Sequence, residues 1–94
     1  MAHRVTWSQR ALRDLESIAG YIAADSPAYA SIVVKKIVNQ TRMLAAFPRM
    51  GHKVPEFDDD DVRELLVYSY RVIYRVEPDR VVIAAITHGK RILQ

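Results

Sequence analysis

Residues Val62–Leu93 read V-R-E-L-L-V-Y-S-Y-R-V-I-Y-R-V-E-P-D-R-V-V-I-A-A-I-T-H-G-K-R-I-L, and this stretch decides the fold. It divides into three apolar, β-branched and aromatic runs near 62–68, 70–77 and 80–88, the pattern of strands. Tyr68-Ser69-Tyr70 is a tight link, and Glu77-Pro78-Asp79-Arg80 carries a Pro-Asp turn signature. Links this short make neighbouring strands antiparallel. Alternation in the middle run sets Tyr70, Val72, Tyr74 and Val76 on one face and Arg71, Ile73 and Arg75 on the other. Strict alternation in the last run groups Val82, Ala84, Ile86 and His88 against Val81, Ile83, Ala85 and Thr87. Nearly everything in both sets is apolar, so this strand is expected to be central or covered by something outside the chain. Arginine inside a strand is costly to bury without an anionic partner, so Arg63, Arg71 and Arg75 are the first residues to account for.

Towards the N-terminus, Arg4–Trp7 alternates as a short strand and Ser8 sits where a helix N-cap belongs. Leu12, Leu15, Ile18, Ala19 and Ile22 recur at helical spacing, predicting a helix over 9–24. Asp25-Ser26-Pro27 is a stop and a restart, with Ser26 as N-cap and Pro27 at the first helical position. A second helix is expected to run to about Phe47, burying Ala30, Val33, Val34, Ile37, Val38, Thr41, Leu44 and Phe47. Residues 48–61 hold two prolines, a glycine and the run Asp58–Asp61, and read as a loop. The predicted order is β-α-α-β-β-β. This is an α+β fold over residues 1–94 as one domain, an antiparallel sheet with a helical hairpin packed on one face.

The composition narrows the chemistry. The 94 residues include no cysteine, which excludes thiol catalysis and a disulfide scaffold and fits a reducing cytoplasm. No apolar run approaches the roughly 20 residues of a membrane span, so no membrane association is expected. Residues 1–57 carry eight Lys/Arg against four Asp/Glu, and residues 58–94 six against seven, so the chain is basic outside the acidic run and suits an acidic partner. His3, His52 and His88 lack ligand spacing, and four consecutive aspartates lack the alternation of a calcium loop, so no metal is expected. No phosphate-binding glycine loop is present, and no cofactor is expected. Phosphate chemistry would draw guanidinium from Arg71, Arg63 or Arg91 and a proton carrier from His88 or Glu56. The plainer reading makes Arg63 and Arg75 exposed strand arginines and His88 the end of a strand.

Five segments, W-S-x-x-A-x-x-D-L-x-x-I-x-x-Y-I at 7–22, F-P-R-M-G-x-x-V-P-E at 47–56, R-E-L at 63–65, Y-R-V-I-Y-R-V at 70–76 and H-G-x-R at 88–91, resemble the RelE/ParE toxin superfamily over essentially the whole chain. The resemblance implies a toxin of a type II toxin–antitoxin module, neutralised in a hetero-oligomer by an antitoxin segment lying across helices and sheet. On this chain Leu15, Ile22, Ile37, Arg71 and Arg75 are the implied contacts. The H-G-K-R ending and Y-R-V-I-Y-R-V are most similar to the ParE branch, whose members poison DNA gyrase without catalysing a reaction; Lys90 and Arg91 would then help engage the target. The alternative is the RelE branch, which cuts mRNA on the ribosome; Arg71, Arg63, His88 and Glu56 would then be catalytic. The C-terminal end lacks a tyrosine, and Lys53 alone stands in for the lysine cluster of that branch.

Overall fold

The computed structural model describes residues 2–89. The elements are β1 (Arg4–Trp7), α1 (Gln9–Ala23), α2 (Pro27–Arg42) followed by a 3₁₀ turn (Met43–Ala45), β2 (His52–Lys53), β3 (Val62–Val67), β4 (Tyr70–Val76) and β5 (Arg80–His88). They form one five-stranded sheet in the order β1-β5-β4-β3-β2. The α+β layout and helical hairpin match the expectation, but the sheet is mixed. β1 lies parallel to β5 because the hairpin carries the chain across one face before it returns.

Both helix starts follow from local chemistry. Ser8 Oγ accepts from Ala11 N–H at 3.0 Å, and Ser26 Oγ accepts from Tyr29 N–H at 3.1 Å. Each satisfies an N–H that has no intrahelical acceptor. Ala11, Val33, Ile37 and Leu44 pack without exposure against Leu65, Val67, Val72, Tyr74, Val76, Val81, Ile83 and Ile86. Burial of such side chains stabilises by about 1.5–3 kcal/mol each. Two expected core residues are outside it: Leu12 is 46% exposed, with Ala11 in its place, and Phe47 is 61% exposed beyond the 3₁₀ turn.

Strict alternation fails in β5. The partners run Ile73↔Ala85 and then Tyr74↔Ile83, so Ala84 is an extra residue, a β-bulge. Val81, Ile83 and Ile86 therefore share the helix face, while Val82, Ala85 and Thr87 pair with the outward residues Arg75, Ile73 and Arg71. β1 covers β5 only as far as Ile83, and α1 takes over the exposed edge. Ser8 N–H donates to Ile83 O at 2.9 Å, Ser8 Oγ to Ala84 O at 2.9 Å, and the Asp14 carboxylate accepts from Ile86 N–H at 2.9 Å. Ser8, Ala11 and Asp14 of the first motif are thus structural.

At the β3–β4 hairpin the two turn residues are Tyr68 and Ser69, and Tyr68 holds φ 53°. Glycine normally occupies such a position, and a tyrosine there costs roughly 1 kcal/mol.

Candidate functional site

The outer face of the sheet holds a buried cluster of charged side chains. Val54 is fully buried against Val62 and Ile73, which pins the 48–61 loop onto this face. Two residues later Glu56 stands over Arg71. Arg71 is 6% exposed, and its guanidinium makes a fork: Nη1 to Glu56 Oε2 at 2.7 Å and Nη2 to Glu56 Oε1 at 2.8 Å. On its other side Nε and Nη2 donate to Glu64 Oε2 at 2.9 and 2.6 Å. The bonds to Glu56 are the main reason that the guanidinium holds its proton more firmly than usual; burial opposes this, and Glu64 adds to it. Arg71 lies on the expected face, but that face is roofed there. Thr87, the register partner of Arg71, is buried too, and its Oγ1 has no hydrogen-bond partner among the described residues.

Glu64 is the member that sequence reasoning missed. Counting back from the Tyr68-Ser69 turn pairs Leu66 with Arg71, and Glu64 is on the same face two residues on. The signal was present in the register.

Arg63 is not a plain exposed arginine. It lies opposite Tyr74, on the helix-facing side, and its guanidinium wraps the loop. Nη1 donates to Gly51 O at 3.0 Å and Nε to Asp60 O at 3.0 Å. Below it the Tyr74 hydroxyl accepts from Gly51 N–H at 3.0 Å. A Cβ on Gly51 would lie 2.5 Å from Glu64 O and 2.6 Å from Tyr74 Oη, so glycine is required for close approach. His88 pairs with Tyr70 on the helix-facing side, with the two rings edge-on at 5.9 Å. The structure thus brings Arg71 and Glu56 together and sets Arg63 and His88 on the opposite side of the sheet.

The acidic run is a set of counter-ions. Arg49 pairs with Asp61 at 2.7 Å, Lys53 with Asp60 at 3.1 Å and Arg75 with Asp59 at 3.2 Å, all partly exposed. Of the expected antitoxin contacts, Ile37 is fully enclosed, because its turn of α2 faces the sheet, and presents no surface. Leu15 and Ile22 are partly buried against the same core, and Arg75 remains half exposed. Lys90 and Arg91 lie outside the described residues. Among the described residues no group of His, Asp or Glu is placed to hold a metal ion, and no helix is long and apolar enough to cross a membrane.

The family model described as ParE toxin of type II toxin–antitoxin system, parDE, matches residues 5–93. The chain belongs to the ParE toxin family. It is therefore a toxin of the type II toxin–antitoxin class. Among relatives of this ParE-family chain, toxin RelE3 of Caulobacter vibrioides is 32% identical over 84 residues, covering 85% of this chain and 87% of that protein. The Sinorhizobium fredii protein Y4kP is 35% identical over 78 residues, covering 81% and 78%. The solved chromosomal ParDE system of P. aeruginosa superposes with TM-score 0.77 at 24% identity, covering 95% of this chain and 98% of that one. A free-state mutant of E. coli RelE superposes with TM-score 0.69 at 18% identity, covering 96% and 86%. At those identities the two structures speak to the ParE/RelE fold alone.

Proposed function

We propose that this chain is a ParE-like poison of DNA gyrase that blocks replication and is neutralised by a cognate antitoxin, with no active centre of its own. The observation that carries the reading is the saturation of Arg71 by Glu56 and Glu64. A phosphodiester would have to displace two carboxylates that already hold the guanidinium, and carboxylates beside a phosphate oppose its charge. The separation of His88 and Arg63 from Arg71 across the sheet supports the same reading, since proton transfer and charge stabilisation must converge on one reacting group. The ParE family match supports it independently. Lys90 and Arg91 are proposed contacts to gyrase. Arg75 and the partly exposed flanks of Leu15 and Ile22 are proposed contacts to the antitoxin, a partner suggested by the ParDE system above and by the RelBE2 toxin–antitoxin complex of Mycobacterium tuberculosis.

The ribonuclease alternative draws on the likeness to toxin RelE3. Expression in growing cells without antitoxin separates the two. The gyrase reading expects broken chromosomal DNA with intact mRNA at the onset of growth arrest. Fragmented mRNA with intact DNA would overturn it.

A further inference from the structure

A cleft of about 670 Å³ lies between the helical hairpin and the tip of the β3–β4 hairpin, away from the Arg71 cluster. Its walls include Tyr21, Tyr29, Tyr68 and Tyr70, four of the chain's five tyrosines. Tyr21 is 80% exposed, Tyr68 55% and Tyr29 47%, so these rings are available rather than packed. The Tyr29 and Tyr68 rings stand 6.4 Å apart and inclined by 55°, forming a corner. Tyr68 completes it from a left-handed backbone position that a glycine would take more easily. A strained residue at an exposed turn is retained when its side chain is used, since nothing in the core requires it there.

The electrostatics select the occupant. Among the described residues the lining includes no lysine or arginine; Asp25 is its carboxylate, and His88, on the far wall, is its other ionisable side chain besides the tyrosines. Asp25 makes no ion pair with any described residue. The C-terminus of α1 and the N-terminus of α2 meet beside it, and their dipoles oppose one another. Aromatic faces with an unpaired carboxylate attract a cation and disfavour a phosphate backbone. We infer that the Tyr21–Tyr29–Tyr68–Tyr70 cleft is a receptor for an arginine or lysine side chain projecting from a protein partner, with Asp25 as counter-charge. The site stands whether the toxin's target is gyrase or the ribosome.

The test is an NMR titration of the isotope-labelled full chain with the peptide N-acetyl-Gly-Arg-Gly-amide, its citrulline isostere, and uridine monophosphate as separate probes. The expected result is saturable shifts of the Tyr21, Tyr29 and Tyr68 ring signals with the arginine peptide, bound at least about fivefold more tightly than the citrulline one. Asp25→Asn and Tyr21→Ala, both at exposed positions, should each weaken that binding by threefold or more on the same scale. Equal response to arginine and citrulline, tighter binding of the nucleotide, or no saturable shift would each overturn the inference.

Discussion

Replacing Arg71 with methionine keeps an unbranched apolar stem and removes the guanidinium that joins Glu56 to Glu64. Among the described residues, four charge-assisted hydrogen bonds are lost together. The two carboxylates then behave differently. Glu56 is on a loop with its side chain 19% exposed, closer to water than Glu64. Glu64 is on β3, paired on both sides, with its side chain 10% exposed, and must remain. Breaking a buried ion pair from one side costs about 3–5 kcal/mol, and the greater exposure of Glu56 puts this case at the lower end, about 3 kcal/mol. With a denaturant slope of about 1.5 kcal/mol/M, the urea midpoint falls by about 2 M. That is a large share of the stability, since a chain of this length has roughly 5–14 kcal/mol in all. Arg71→Met combined with Glu56→Leu and Glu64→Leu should recover most of the loss, because no charge is then left buried. Urea unfolding followed by tryptophan fluorescence reads both. A loss under about 1 kcal/mol for Arg71→Met at pH 7 would show that the carboxylates are not held as described.

Gly51→Ala should destabilise by about 1–3 kcal/mol, because the new methyl meets Glu64 O and Tyr74 Oη inside contact distance; thermal unfolding checks this, and no change would contradict the close approach. Asp14→Ala should cost about 1–2 kcal/mol and speed hydrogen exchange at the Ile86 amide above its neighbours, since that N–H loses its acceptor beside the bulge. Burial raises the Tyr74 phenol above its ordinary value of 10.0, so one tyrosine should titrate late by ultraviolet absorbance and vanish from the curve in Tyr74→Phe. Because the folded value is raised, that contribution to stability is complete below pH 10.0 and is lost as pH climbs through the folded value. The Asp59 carboxyl is held below its usual 3.8 mainly by the Asp61 N–H, so its contribution is present above pH 3.8 and lost as pH falls through the folded value; Asp59→Asn should flatten the acid limb of a stability–pH curve.

What could be read in the chain and what could not divides along the reach of the interactions. Ser8 and Ser26 were legible as caps because a cap acts within three residues, and the β3–β4 hairpin because its turn is two residues long. The parallel pairing of β1 with β5 was not, since it joins residues more than 70 positions apart that no turn connects. The Ala84 bulge escaped because β5 is apolar on both faces, so either alternation fits the hydrophobic pattern; only the requirement that Ser8 and Asp14 cap its edge selects one. Helical spacing puts Ile37 in the apolar stripe of the second helix, where the sheet buries it, whereas the family resemblance implies it as an antitoxin contact; spacing alone does not say whether sheet or partner covers a stripe. Position within a strand marks Arg63, Arg71 and Arg75 alike as arginines needing an anion, and Arg71 is the one of the three that the fold buries. The answer, Glu64 and Glu56, required the register of β3 and the anchoring of the loop by Val54.

The toxin is proposed to act by binding gyrase rather than by catalysis. The direct measurement incubates the purified chain, freed of antitoxin, with DNA gyrase, ATP and supercoiled plasmid, and scores trapped double-strand breaks. Breaks that need both proteins and saturate near equimolar toxin and gyrase are the predicted result. Intact plasmid, from a preparation shown to be folded and toxic, would contradict it.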